Sequence, residues 1–207
     1  MGAATPGGSA PGGGRLRGVE EAAAKNEGTS RTGTGWRRGT WLFLPGLTLL
    51  LALGVRGLVV EPRLIISDSM RPTLVSGDRL LMEKVSYRFH APSTGDIVVF
   101  EPLPEADRRG TLHLEAHIKR VIGLPGQEVR VHEGRVLVDG QPLVEPYMAE
   151  APGYEWGPAR VPEDMLFVMG DNRNESSDSH VWGFLPRRNV LGRACLRFWP
   201  LGRAGGL

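Results

Sequence analysis

The pattern of hydrophobic and polar positions divides the chain into three parts. Residues 1–40 contain 11 glycines and few large apolar side chains, so they cannot bury enough apolar surface to offset the entropy lost on ordering. Residues 41–60 are a run of 20 residues with a single charge, Arg56. After residue 64, short apolar runs alternate with turn residues. This pattern predicts a disordered tail over 1–40, an apolar helix over 41–60 and a β-rich domain over 61–207.

The apolar run 41–60 is long enough to cross a membrane as a helix. At about 1.5 Å per residue, its 20 residues would span a hydrocarbon core of roughly 30 Å. A cleaved signal peptide is the alternative, but its apolar region lies close to the N-terminus and ends in a small-x-small site. This run begins after 40 residues and continues into Glu61 and Pro62 without such a site. The other alternative is an amphipathic helix packed against the core of a soluble protein, but such a helix would carry a polar face, which the run lacks.

We therefore expect an uncleaved transmembrane anchor over 41–60. Arg56 can extend its guanidinium toward the lipid headgroups from near the end of the span. Arg31, Arg37 and Arg38 lie immediately before the run. Because basic residues that flank a span stay in the cytoplasm, we expect the N-terminus there and the domain that follows the anchor across the membrane.

Short apolar and β-branched segments bounded by turn residues predict strands in the domain that follows. Glu133-Gly134 and Asp139-Gly140 predict tight turns between such strands. Apolar and polar residues alternate over 112–119, which is typical of a strand with one apolar face. Because no helical pattern intervenes, we expect a mainly β domain, either a barrel or paired sheets. The other predicted strands are Gly95–Phe100, Glu128–Val131 and Met165–Met169.

Charge and cysteine content argue against several functions. The chain has 25 basic and 23 acidic residues, a net charge of +2, and we expect no nucleic-acid partner. The single cysteine, Cys195, excludes an internal disulfide, and its apolar surroundings predict a buried, inert thiol. His113, Glu115 and His117 share one face of a predicted strand, but they lack the H-E-x-x-H spacing of a zinc helix. We interpret them as an exposed polar face and expect neither a metal nor a cofactor.

Ser69 and Lys119 are candidates for nucleophilic chemistry. A serine is a weak nucleophile that needs an adjacent base, and Ser69 lies just after the predicted anchor with Pro72 shaping the turn behind it. Lys119 lies among apolar residues at the end of an alternating strand. A lysine is a base only when neutral, so its pKa must fall by about 2–3 units, which burial can achieve. Taken singly, the serine segment also fits a polar turn, and Lys119 also fits a solvated side chain.

A third segment, residues 170–184, places many polar and charged residues between a predicted apolar strand and an aromatic-rich turn. A solvated loop is the simplest interpretation. If the segment is buried, its side chains need a hydrogen-bond network, and such networks support functional sites.

In this order the three segments resemble the type I signal peptidases, which are membrane-bound serine-lysine proteases that remove signal peptides. The sequence SDSMRPTL, from residue 67, is similar to the family's S-x-S-M-x-P-T-L box. HIKRVIGLPG, from residue 117, is similar to its K-R-(I/V)-(I/V)-G-x-P-G box, and GDNRNESSDSHVWG, from residue 170, to its G-D-N-R-x-N-S-x-D-S-R-x-W-G box. The resemblance extends from the predicted anchor to about residue 200. It implies a catalytic domain of antiparallel sheets preceded by one transmembrane helix.

The resemblance also implies roles for individual residues. Ser69 would be the nucleophile and Lys119 the general base. The Ser69 N–H and the Ser67 hydroxyl would stabilise the oxyanion, as acyl transfer requires. Ser176 would hold the lysine ammonium, and Asp178 would order the loop behind it.

The implied activity is the cleavage of signal peptides from exported preproteins after an Ala-x-Ala motif. Met70 would help to shape the shallow pockets for the small residues before the scissile bond. The other expected partner is the lipid bilayer, with the catalytic domain on the outer side of a plasma or thylakoid membrane. The chain departs from the family boxes at Glu175, Gln127 and His180, where Asn, Asp and Arg are common. His180, together with the anchor sequence, is similar to cyanobacterial and thylakoid members.

Two other functions stay open at this point. A self-cleaving repressor also uses a Ser-Lys pair on a related β fold, but the tail over 1–40 has no helix-turn-helix pattern. An inactive, membrane-tethered binding module of the same fold is the second alternative. The presence of both Ser69 and Lys119 argues against it, because a module without activity need not keep either.

Overall fold

A computed structural model describes residues 36–101, 103 and 116–207. Its first element is helix α1, Trp36–Leu58, which contains Pro45. Among the described residues, no helix is both long enough and apolar enough to cross a membrane. The chain separates into two compact units, Met1–Gly46 and Leu47–Leu207. Most of the tail for which we predict disorder lies outside the described residues.

The described part of the second unit is mainly antiparallel β structure, as predicted. Numbered along the chain, its described strands are β1 Val60–Leu64, β2 Arg79–Glu83, β3 Ile97–Phe100, β4 His117–Gly123, β5 Glu128–His132, β6 Arg135–Val138, β7 Gln141–Pro142, β8 Trp156–Arg160, β9 Met165–Met169, β10 Leu185–Pro186, β11 Val190–Trp199 and β12 Gly205–Gly206. One sheet has the strand order β1-β2-β11-β3-β4-β9-β10, with β12 paired to β11, and a smaller sheet has the order β7-β6-β5-β8. A short helix, α2, Ser179–Trp182, precedes β10.

Several strand and turn predictions are confirmed. Strand β9 has the predicted bounds, and the predicted strands at 95–100 and 128–131 correspond to β3 and β5. Glu133 and Gly134 have φ angles of 49° and 74°, and Asp139 and Gly140 have 50° and 75°. Two consecutive residues in the left-handed region give the turn whose twist matches an antiparallel hairpin, so β5, β6 and β7 follow one another directly.

The strand predicted over 112–119 is described only in part. Residues 112–115, which include His113 and Glu115, lie outside the described residues, and β4 begins at His117. The His117 ring packs edge-on against Phe100, with the ring centroids 5.8 Å apart. Cys195 lies on β11, where it is only partly buried, and its thiol donates to the Leu81 carbonyl at 3.3 Å. Burial raises the pKa of the Cys195 thiol, which disfavours the reactive thiolate.

The centre of the large sheet positions the candidate catalytic residues. Lys119 on β4 pairs with Val98 on β3, and Arg120 pairs with Met169 on β9. All four residues of β3 are buried, as are the last five of β4, so this part of the sheet excludes water from both faces. Strand β9 leads directly into the polar segment that begins at Gly170.

Candidate active site

Ser69 lies on a loop between β1 and β2 that buried apolar side chains hold in place. Met70 and Leu74 are fully buried in a core cluster with Ile65 and residues of β2 and β3. Backbone hydrogen bonds also hold the loop in turns: the Arg71 N–H donates to the Asp68 carbonyl, and the Leu74 N–H donates to the Met70 carbonyl. Ser69 itself is buried, with 9% of its surface exposed, whereas its neighbours in the loop, residues 66–68 and 71–72, are exposed.

Lys119, on strand β4 of the large sheet, contacts the Ser69 hydroxyl. Its Nζ lies 2.5 Å from the Ser69 Oγ, and the two residues are 50 positions apart in the sequence. The lysine side chain is 5% exposed, and burial lowers its pKa from 10.5 to about 8, although the charges of Asp178 and Asp171 act in the opposite direction. Below that pH the ammonium donates to the Ser69 oxygen, and above it the amine can accept the serine proton.

Ser67 lies next to the Ser69 backbone. The Ser69 N–H donates to the Ser67 Oγ at 3.1 Å, so the two groups for which we expect an oxyanion-binding role are adjacent and face each other. In this arrangement the Ser67 oxygen occupies the direction that a substrate oxyanion would take. A carbonyl oxygen that enters must therefore replace the Ser67 oxygen as the acceptor of the Ser69 N–H.

Ser176 packs at Gly170, beside the loop between β1 and β2 that carries the candidate nucleophile Ser69, called the nucleophile loop below. A Cβ added to Gly170 would lie 2.3 Å from the Ser176 Oγ and 2.4 Å from the Ser69 carbonyl oxygen, so only glycine fits between them. The Ser176 Oγ is buried and has no hydrogen-bond partner among the described residues. The structure thus brings Ser176 close to the nucleophile loop, but without the hydrogen bond to Lys119 that the resemblance implies.

Asp178 orders the polar segment from a fully buried position. One carboxylate oxygen accepts the Gly170 N–H at 2.8 Å. The other lies 2.7 Å from the His180 Nδ1 and also accepts the His180 N–H, which makes Asp178 the N-terminal cap of α2. The Asn172 N–H donates to the Ser69 carbonyl at 3.1 Å, so the segment that Asp178 orders is hydrogen-bonded directly to Ser69.

The Met70 side chain has no exposed surface. It belongs to the core cluster beneath the nucleophile loop, so it supports the surface beside Ser69 from below. A change of volume at this position would shift that surface, because protein cores are close-packed.

Arg120 and Asp171 were not among the residues predicted from the sequence, but their buried ion pair supports the site. Arg120 Nε and Nη2 lie 2.8 and 2.7 Å from the two Asp171 carboxylate oxygens. Thr73 donates its hydroxyl to Asp171 at 2.5 Å. All three residues fall inside the boxes quoted above, next to Lys119, Gly170 and Pro72, and this proximity was the available signal.

A second buried ion pair, between Arg173 and Glu145, was not predictable. Their side chains are 0% and 2% exposed, and Arg173 also donates to the Gly170 carbonyl at 3.0 Å. Tyr147 donates to Glu145 at 2.8 Å, and its ring lies 3.8 Å beneath the Arg120 guanidinium carbon. The loop between β7 and β8 thereby holds both arginines that contact the 170–171 turn. Glu145 lies outside the quoted boxes, and nothing in its local sequence marks it.

The three departures from the family boxes have different structural settings. Gln127 caps its turn, since its side-chain oxygen accepts the Leu124 N–H at 2.8 Å. Glu175 is exposed to solvent. His180 contacts Asp178 and stacks on Tyr154, with ring centroids 4.2 Å apart. Of the three, only His180 is in contact with a candidate site residue.

The comparison with protein families gives a match over most of the chain. Residues 38–199 match the family described as "Signal peptidase, peptidase S26". The chain is 54% identical over 162 residues to signal peptidase I of Leptolyngbya laminosa, which covers 78% of this chain and 80% of that protein. It is 54% identical over 170 residues to probable signal peptidase I-2 of Synechocystis sp., with 80% and 77% covered.

A plant relative is also similar. The chain is 43% identical over 150 residues to probable thylakoidal processing peptidase 2 of Arabidopsis thaliana, which covers 72% of this chain and 41% of that protein. The resemblance to cyanobacterial and thylakoid members is therefore confirmed.

These matches first define a class, the serine peptidases, which are hydrolases. The chain belongs to the signal peptidase family, peptidase S26.

Proposed function

We propose that this protein is a membrane-bound endopeptidase that removes signal peptides from exported preproteins, with Ser69 as nucleophile and Lys119 as general base. The observation that carries the proposal is the 2.5 Å contact between the Lys119 Nζ and the Ser69 Oγ in a buried site. The lowered pKa of Lys119, about 8, supports it because a useful fraction of the amine is neutral near physiological pH.

The first half of the reaction forms an acyl-enzyme. The neutral Lys119 amine takes the Ser69 proton as the serine oxygen attacks the carbonyl carbon of the scissile bond. Negative charge develops on the carbonyl oxygen, where the Ser69 N–H and the Ser67 hydroxyl would donate to it. The Lys119 ammonium then gives its proton to the leaving amine, and the mature protein departs.

The second half releases the signal peptide. Lys119 is neutral again once it has protonated the leaving group, so it can take a proton from a water that attacks the acyl carbon. The bond between the acyl carbon and the Ser69 oxygen then breaks, the Lys119 ammonium returns its proton to that oxygen, and the signal peptide leaves with a new terminal carboxyl group. The Ser67 hydroxyl must rotate in each half-reaction, from accepting the Ser69 N–H to donating toward the oxyanion. The hydrogen bond from the Ser69 N–H to the Ser67 oxygen is thereby replaced, in the transition state, by a hydrogen bond from the Ser67 hydroxyl to the oxyanion.

We propose that cleavage follows a small-x-small motif, with Met70 supporting the pocket floor.

We further propose that residues 41–60 anchor the enzyme in the bilayer, with the N-terminus cytoplasmic and the catalytic domain on the outer side. The apolar run and the arginines before it support this topology. Two apolar side chains that precede Ser69 closely in the sequence, Leu64 and Ile66, are 58% and 59% exposed. Exposed apolar side chains on this part of the chain suit an enzyme that works at a membrane, where enzyme and substrate meet at a high effective concentration.

The proposal is tested by cleavage of a preprotein with a small-x-small motif by the purified full chain in detergent. Mass spectrometry of the products locates the cut. We expect Ser69→Ala and Lys119→Ala each to abolish cleavage while the circular dichroism spectrum stays that of the wild type. Ser177→Ala and Lys84→Ala are the matched controls, since neither residue contacts Ser69, and both should retain activity. Full activity of either dyad variant would refute the assignment, and peptide binding without cleavage by the wild type would favour a binding module.

A further inference from the structure

The segment that follows strand β11 folds back toward the nucleophile loop. It makes a single helical turn, Leu201–Arg203, and then pairs with β11 again through β12. In this register Gly205 lies opposite Arg197, and the Arg197 Nε donates to the Arg203 carbonyl. The two arginine side chains are thus brought together. Position 203 lies beyond residues 38–199, the part of the chain that matches the family.

Both arginines bind the backbone of the nucleophile loop. The Arg203 Nη2 lies 3.2 Å from the Pro72 carbonyl oxygen and 3.3 Å from the Thr73 carbonyl oxygen. The Arg197 Nη1 donates to the same Thr73 carbonyl at 2.5 Å. A carbonyl oxygen has two lone pairs, so it can accept from both guanidinium groups at once. Thr73 is therefore held on two sides, because its hydroxyl donates to Asp171.

Asp78 supplies the negative charge that pairs with both guanidinium groups. Its side chain is 1% exposed, and its two carboxylate oxygens lie 3.2 Å from the Arg203 Nη1 and 3.7 Å from the Arg197 Nη1. One of these oxygens also accepts the Val75 N–H at 3.0 Å. The Ile65 N–H donates to the Asp78 carbonyl at 2.9 Å, so Asp78 lies where the two ends of the nucleophile loop meet. A buried carboxylate needs such partners, since an unpaired buried charge is strongly unfavourable.

The Arg203 guanidinium joins two parts of the nucleophile loop. One of its terminal nitrogens binds Asp78 at the end of the loop, and the other binds the carbonyls of Pro72 and Thr73. A guanidinium is a planar group with donors in fixed directions, so these contacts set the distance between the two parts of the loop. A lysine ammonium is a compact point charge and cannot bind both parts in the same way.

We propose that Arg203 is a positioning residue that fixes the Ser69 hydroxyl in place relative to Lys119. This inference rests on the proposed Ser69–Lys119 dyad. The Leu74 N–H donates to the Met70 carbonyl at 2.9 Å and closes the turn that contains the two bound carbonyls. A shift of those carbonyls therefore shifts Ser69, which directly precedes the turn. The 2.5 Å contact between the dyad side chains is sensitive to such a shift, because misplacement by about 1 Å can cost a hundredfold in rate.

The experiment is steady-state kinetics of preprotein cleavage in detergent by the full chain and three variants. Arg203→Ala removes every side-chain contact, and Arg203→Lys keeps a positive charge beside Asp78 without the planar group. Arg160→Ala is the matched control, because Arg160 is an exposed arginine on β8 that also donates to a backbone carbonyl, that of Gly126, at 3.0 Å. Thermal unfolding of each variant is measured first. All rates are then taken well below the lowest midpoint, where every variant is folded.

We expect Arg203→Ala and Arg203→Lys each to lower kcat about tenfold with a smaller change in KM, while Arg160→Ala matches the wild type. A residue that only stabilises the fold would give a lower unfolding midpoint but a wild-type kcat at this temperature, and that result would overturn the inference. An equal loss in Arg160→Ala would also overturn it. So would a wild-type kcat in Arg203→Lys, since charge alone would then be sufficient. If Arg203→Ala does not fold, Arg203→Lys decides the question.

The inference and the proposed function can fail separately. Activity of Ser69→Ala or Lys119→Ala would refute the proposed dyad and the inference with it. If both dyad variants are inactive and the Arg203 variants keep a wild-type kcat, only the inference is refuted.

Discussion

The hydroxyl of Thr73 donates a 2.5 Å hydrogen bond to the carboxylate of Asp171, across 98 positions in the sequence. Thr73 lies on the nucleophile loop, and Asp171 is bound by Arg120, the residue after Lys119. The bond therefore joins the loop that carries the candidate nucleophile to the strand that carries its candidate base. We therefore expect this connection to help set the separation between the Ser69 and Lys119 side chains.

Replacement of Thr73 by valine should lower kcat about tenfold or more, with a smaller change in KM. Valine has the same shape but cannot donate to Asp171, so the loop loses this link to the Asp171–Arg120 pair, and misplacement by about 1 Å can cost as much as a hundredfold in rate. Thr73→Ser keeps the hydroxyl and should retain most of the activity. Steady-state kinetics on a preprotein substrate measure both variants. Equal activity of Thr73→Val and Thr73→Ser would show that the bond does not position the nucleophile.

Replacement of Lys119 by methionine should abolish activity and stabilise the fold near neutral pH. The pKa of Lys119 is about 8 in the folded protein and 10.5 ordinarily, so the buried ammonium costs roughly 3 kcal/mol below pH 8. Between these values the folded state loses its proton first, so wild-type stability rises with pH until the penalty is gone. Denaturant unfolding should show a stability gain for Lys119→Met that is largest below pH 8 and disappears above pH 10.5. A gain that is the same at every pH would contradict this account.

Activity should rise as pH increases through about 8, because the base form of Lys119 is the neutral amine. Initial rates of preprotein cleavage across the pH range, in buffers of constant ionic strength, measure this limb. A profile that is flat on both sides of that midpoint would rule out a lysine base.

Replacement of Gly170 by alanine should abolish activity. The added methyl group would lie 2.4 Å from the Ser69 carbonyl oxygen and 2.3 Å from the Ser176 hydroxyl, and the backbone atom cannot move without shifting the nucleophile. Gly202→Ala is the matched control, since no atom lies within 4 Å of its added methyl group. Cleavage rates and circular dichroism separate lost activity from lost folding. Normal cleavage by Gly170→Ala would mean that the nucleophile loop tolerates displacement.

Replacement of Glu145 by glutamine should destabilise the protein by about 3–5 kcal/mol, the usual cost of leaving a buried charge without its partner. Arg173 would keep its charge with 0% of its side chain exposed. Glu155→Gln, in the exposed pair with His132, is the control and should change stability little. Thermal or denaturant unfolding measures the difference. Equal stability of the two variants would show that the Arg173–Glu145 pair does not hold the loop.

Local sequence patterns predicted elements whose cause is local. The bounds of β9 follow from a short apolar run, and both hairpins follow from residues that tolerate positive φ angles at adjacent positions. The segments that carry Ser69, Lys119 and Asp178 were identified because each combines residue types that chemistry or turns require. The pairs Thr73–Asp171 and Arg173–Glu145 were not predicted, because partners 98 and 28 positions apart meet only when the strands between them have folded.

The sequence by itself determined that the chain has a β domain with a serine, a lysine and a polar segment able to support acyl transfer, since these depend on residue type, order and local periodicity. Only the tertiary structure decided that Lys119 is buried, that its amine lies 2.5 Å from the Ser69 hydroxyl and that Asp178 faces a histidine. The physical reason is that a pKa depends on exclusion of water and on nearby charges. For Lys119 both are supplied by residues distant in sequence, on β3, on β9 and in the segment that follows β9.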